Sequence, residues 1–111
     1  MTYEENCLAL DKTLASLLGW DVIIDPDTGY MWHSADTHYT DELIRWTQDD
    51  AEAFSLMVEY GLCVGVDQDD KSVVVYDGER KPLEIDFCEM SDGQATKLAI
   101  VQFVIQKLKG N

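Results

Sequence analysis

Three stretches of the chain carry apolar residues at helical spacing, and the intervals between them alternate or run apolar in the manner of strands. Cys7, Leu10, Leu14, Leu17 and Leu18 predict a first helix over about 4–18, which Gly19 is placed to stop. Ala51, Phe54, Met57 and Val58 predict a second over about 48–60, with these four inward and Gly61 closing it. A third, over about 92–109, lines up Ala95, Leu98, Val101, Ile105 and Leu108, and Ile100, Phe103 and Val104 widen that stripe. A stripe so wide belongs either deep in the core or beneath a second copy paired through Val101, Ile105 and Leu108. Thr2, Thr47 and Ser91 each stand three residues before an acid or amide, the arrangement of a capping box.

Between the first two helices, 21–24 and 30–33 flank Asp25-Pro26-Asp27-Thr28-Gly29, a turn that predicts a hairpin. After the second helix, 62–66 and 72–76 flank the polar turn Asp67-Gln68-Asp69-Asp70-Lys71. The alternating run 83–87 adds a half-buried strand with Glu84 and Asp86 outward. Residues 34–46 have no clean period and are expected to form a loop or a short turn of helix. The order α-β-β-α-β-β-β-α predicts a single α+β domain, an antiparallel sheet with packed helices in an α/β/α-type sandwich.

Charge changes this picture of an ordinary small domain. The 111 residues hold 22 acids and 8 cations, a net charge of −14. Every acid lies between Glu4 and Asp92, where only five cations accompany them, a net of −17. Such a balance opposes direct contact with a nucleic-acid backbone or an anionic membrane surface, both of which require a basic stripe. It favours instead a basic protein surface, for which a nucleic-acid-binding groove is the natural example. Solubility alone is the competing explanation of the acids. No run of about 18 apolar residues is present, the N-terminus lacks the basic-then-apolar pattern of a signal peptide, and three cysteines fit a reduced chain. A cytoplasmic location is the expectation.

Residues for catalysis are sparse. His33 and His38 are the only histidines, and neither adjoins a nucleophile motif. No glycine-rich loop opens a helix to cradle phosphate. Cys63, Cys88 and the two histidines lack metal-ligand spacing and read as two buried strand cysteines and two polar histidines, with no metal or cofactor implied. The run from Asp67 to Asp70 opens like a calcium loop, but Ser72 and Gly78 stand where Gly and Glu are needed, leaving a solvated turn. The expectation is a non-enzymatic protein.

The acids are more informative as a pattern. Outward residues on a strand repeat about every 6.6–7 Å, so Glu84 and Asp86 are spaced comparably to neighbouring phosphates on one nucleic-acid strand. Asp67, Asp69, Asp70, Asp77 and Glu79 would extend that ridge at the hairpin ends. Asp49, Asp50 and Glu52 form a second cluster at the start of the second helix. Trp32, Tyr39 and Trp46 gather around the irregular stretch, either as core or as the wall of a ligand pocket or protein hot spot.

Short pieces along most of the chain carry a family resemblance. They are Leu17-Leu18-Gly19-Trp20, Tyr39-Thr40-Asp41, Trp46-Thr47, Asp50-Ala51-Glu52-Ala53-Phe54 with Val58 and Gly61-Leu62, and Ala95-Thr96-Lys97-Leu98-Ala99-Ile100. Together they resemble the phage ABA-sandwich domain, a family of small bacteriophage and prophage proteins. The strands here are more acidic, and the last helix lacks an Ala-rich end. The resemblance implies a helix–sheet–helix sandwich and a phage or mobile-element source, and brings no catalytic residues. With the charge it yields the functional expectation: an inhibitor that occupies the nucleic-acid groove of a host defence complex by mimicking DNA, as several anti-CRISPR proteins do. The alternative is a phage accessory domain that binds a small molecule or protein in an aromatic pocket near Trp32 and Trp46. Metal-dependent nuclease chemistry on the acids is a third reading.

Overall fold

The computed structural model describes residues 2–25, 29–33, 39–40, 44–87 and 90–110, with 21–25, 29–33 and 39–40 described as backbone alone. The elements run α1 (Tyr3–Leu17), β1 (Asp21–Asp25), β2 (Gly29–His33), β3 (Tyr39–Thr40), α2 (Asp50–Glu59), β4 (Cys63–Asp67), β5 (Ser72–Tyr76), β6 (Leu83–Asp86) and α3 (Asp92–Lys109). This is an α+β fold. Its order differs in detail from the predicted one, because the short strand β3 pairs with β2 inside the stretch that lacks a period. The strands form two antiparallel three-stranded sheets, β1-β2-β3 and β4-β5-β6.

Local chemistry explains where the helices begin and end. Thr2 accepts from the backbone N–H of Glu5, and at Ser91 the full capping box forms with Gln94. At α2 the expectation from Thr47 is corrected: the N-cap is Asp49, whose carboxylate accepts from Glu52 N–H, while Thr47 is buried and bonded elsewhere. Both α1 and α2 end in a six-to-one hydrogen bond, Trp20 N–H to Ala15 and Leu62 N–H to Met57, around Gly19 (φ 89°) and Gly61 (φ 64°). These left-handed positions are where glycine avoids a Cβ clash.

The second sheet packs one face onto α3. Val73 and Val75 are fully buried there, and the register puts Val64 and Leu83 beside Val75, and Val66 and Ile85 beside Val73. Helix α3 lies between this sheet and the pair α1 and α2. Ala95, Ala99, Val101, Phe103 and Val104 are buried on its several sides, each large apolar side chain contributing roughly 1.5–3 kcal/mol. Val101 and Ile105 are therefore covered within the chain, and Leu108 is half-buried against the same core. The layering also differs in detail from the expected sandwich. All three helices lie on one side of the second sheet, α1 and α2 reaching it through α3, and the opposite face is uncovered by any described helix. No described helix is long and apolar enough to cross a membrane.

Helix α2 is rolled relative to its predicted orientation. Ala53 and Leu56 are buried, whereas Ala51 is exposed and Phe54 and Val58 are 59% and 63% exposed. The buried-cysteine expectation is corrected for Cys63, which is exposed; Cys7 is buried.

Candidate functional site

Two surfaces stand out, both built around β4. The first is the uncovered face of the second sheet. Because pairing across strands keeps partners on one face, the register Asp67↔Ser72↔Asp86 makes one row and Gly65↔Val74↔Glu84 the next. Asp67, Glu84 and Asp86 are exposed, and Asp70 joins Asp67 and Glu84 around a depression of about 290 Å³. Strand geometry sets Glu84 and Asp86 about 6.6–7 Å apart and carries Asp67 about 9.5 Å across from Asp86. Among the described residues, none of these four acids forms an ion pair. The Asp67 carboxylate instead accepts from the N–H groups of Asp69 and Asp70, which shapes the turn, and Lys71 takes a left-handed φ of 53° to complete it. The expected solvated turn is what forms there.

The remaining predicted acids are placed differently. Asp77 and Glu79 lie at the opposite end of the sheet, beyond Tyr76. Asp77 is removed from the ridge altogether, because its side chain is nearly buried and accepts from Lys107 Nζ at 2.6 Å and from the N–H groups of Glu79 and Arg80 at 2.9 Å. The Lys107 ammonium and these two N–H groups hold the Asp77 carboxyl well below the usual carboxylate range. Asp49 is occupied as the cap of α2, and Asp50 pairs with Lys97 at 2.6 Å while its side chain stays 91% exposed. Glu52 lies half-buried on the same helix, and Asp69 is exposed in the turn.

The aromatic pocket does not assemble from its expected residues. Trp46 is buried in the core, packed with the cluster that includes Leu14, Leu56 and Phe103, so it offers no anchor to a partner. The backbones of Trp32 and Tyr39 pair in the first sheet, and their side chains lie outside the described residues, as do His38 and Cys88. Among the described residues no group of three or more His, Cys, Asp or Glu side chains is arranged to hold a metal ion.

The second surface is a groove of about 530 Å³ between α2, the first turns of α3 and β4. Ala53, Phe54, Met57, Val66 and Ile100 line its floor, and Asp50, Gln68, Asp92 and Lys97 line its rim. Sequence reasoning missed this surface because it assigned Phe54 to the core. The signal was present: α2 carries two apolar stripes, Ala53-Leu56 and Ala51-Phe54-Val58, and a helix on the outside of a domain buries only one.

No family model, no curated protein and no solved structure matches the chain.

Proposed function

We propose that this chain is a small acidic protein of phage type that binds the basic nucleic-acid groove of a host defence complex and blocks it electrostatically. The observation that carries this reading is the helix-free sheet face, with Asp67, Glu84 and Asp86 exposed in two rows, Asp70 exposed in the adjoining turn, and none of the four in an ion pair among the described residues. Fixed strands set the charges at phosphate-like separations, so their arrangement costs little ordering entropy on binding. The net charge of −14 adds long-range attraction to a basic partner and repulsion from nucleic acid itself. The action is stoichiometric occupation, and the setting is the cytoplasm of an infected bacterium.

The test is competition against a purified CRISPR effector complex binding labelled DNA, run from low to high salt. Wild-type protein is expected to displace the DNA at low salt and to lose potency steeply as salt rises. The triple variant Asp67→Asn, Glu84→Gln, Asp86→Asn is expected to lose at least tenfold in potency. Full potency in that variant, or potency indifferent to salt, would sink electrostatic mimicry by this face.

A further inference from the structure

The groove beside α2 is independent of the acidic sheet face. We infer that it is a docking site for a basic amphipathic helix of a partner protein, laid along α2 with its apolar side on Phe54, Met57 and Val66 of the groove and with its edge on Val58, one turn beyond Phe54 on the outward stripe. Ala51, Phe54 and Val58 fall at positions i, i+3 and i+7 of α2 and form an outward stripe, the spacing that a helix-in-groove contact reads. Val66, 43% exposed on β4, closes the far wall. Phe54 and Val58 are not spill-over from a crowded core. They stand well clear of it, while Ala53 and Leu56 already bury the inner side of α2. Adjoining apolar side chains left open in this way mark an interaction surface rather than scattered surface residues.

Charge selects the occupant. At the head of the groove Asp50 keeps most of its side chain in solvent although Lys97 is bonded to one oxygen, and Asp92 is exposed on the same rim. Glu59 is exposed at the other end of α2. Lys97 and Asp50 balance each other, so the charge left on the rim is that of Asp92, and it is negative. A second copy of this chain would bring another net −14 and the same acidic rim, so like charges would face each other. A helix with lysine or arginine flanking an apolar stripe meets both features at once. The ten residues of α2 span about 15 Å, matching two to three turns of such a partner.

The probe is a fluorescein-labelled synthetic helix with leucine at i, i+3, i+4 and i+7 and lysine elsewhere. A leucine–glutamate helix of the same pattern serves as control, and binding is read by anisotropy. The lysine helix is expected to bind the full chain and the glutamate helix not to. Phe54→Ser with Val58→Ser should weaken binding at least tenfold, with an unchanged circular dichroism spectrum because both side chains are exposed. The sheet-face variant Asp67→Asn, Glu84→Gln, Asp86→Asn should change it less than threefold, which separates this site from the acidic-face reading. Failure of the lysine helix to bind, equal binding of both helices, or full binding by the Phe54/Val58 variant overturns the proposal. So does loss of binding in the sheet-face variant alone. A concentration-dependent dimer in sedimentation equilibrium that disappears in the Phe54/Val58 variant would also overturn it, by making a second copy the occupant.

Discussion

Among individual residues, Asp11 has the most to lose. It is fully buried on α1 and accepts from Arg45 Nε at 2.8 Å, Thr47 Oγ1 at 2.7 Å and Thr47 N–H at 3.0 Å. That set ties the segment before α2 to α1 and leaves no orphaned lone pair of consequence. Asp11→Ala strands the buried Thr47 hydroxyl and N–H, and the expected cost is about 2–3 kcal/mol in urea unfolding. Asp77, in turn, makes stability depend on acid. Its folded value lies below its ordinary 3.8, so folding favours the charged form. The stability is present above 3.8 and is lost as pH falls below that value toward the folded one. Asp77→Asn should therefore flatten the decline of melting temperature between about pH 5 and pH 2; an unchanged decline would mean that Lys107 contributes nothing there. Tyr3 acts at the alkaline limit. Burial raises its phenol to about 12, so the protonated form is favoured and stability falls as pH climbs through 10 toward 12. Tyr3→Phe should remove part of that loss in an alkaline titration followed by circular dichroism.

Among elements, the helix ends are where sequence and structure agree best, because caps are local. The Ser91–Gln94 pair can be read from four consecutive residues and forms as read. Ser91→Ala is expected to cost about 1 kcal/mol. Gly61→Ala is expected to cost about 1–2 kcal/mol although open space surrounds the position, because the left-handed backbone and not a neighbour opposes the added Cβ. A thermal scan showing no loss for Gly61→Ala would mean that the turn relaxes to another conformation. Thr47 shows the limit of such local reading. Its sequence matched a cap, but Asp11, 36 residues away, captured the hydroxyl and left capping to Asp49. The orientation of α2 failed for a related reason. Two apolar stripes compete on one helix, and their relative pull depends on the surface of α3 that receives them.

At the scale of the whole molecule, the charge is poorly compensated. The chain holds 22 acids against 8 cations, so most of its acids have no cation to balance them, and three ion pairs occur among the described residues. Self-repulsion should therefore weaken the fold at low ionic strength, and the melting temperature is expected to rise as sodium chloride goes from roughly 0.01 to 0.2 M, over which the screening length shrinks from about 30 Å to below 10 Å. A melting temperature that falls over this range would mean that the three pairs outweigh the repulsion. The sequence alone determined the α+β class, the span of α3, the strands of the second sheet and the outward setting of Glu84 and Asp86. All of these follow from short-range periodicity and steric preference. It also determined the acidic character of the chain, which is a sum and needs no coordinates. Tertiary structure alone decided that the helices stack on one face of the second sheet, and so left the acidic face open. It decided that Trp46 is core, that Asp77 is tied down by Lys107, and that Phe54 and Val58 face solvent. Each of those outcomes is set by a partner distant in the chain, and neither periodicity nor composition records which distant surfaces will meet.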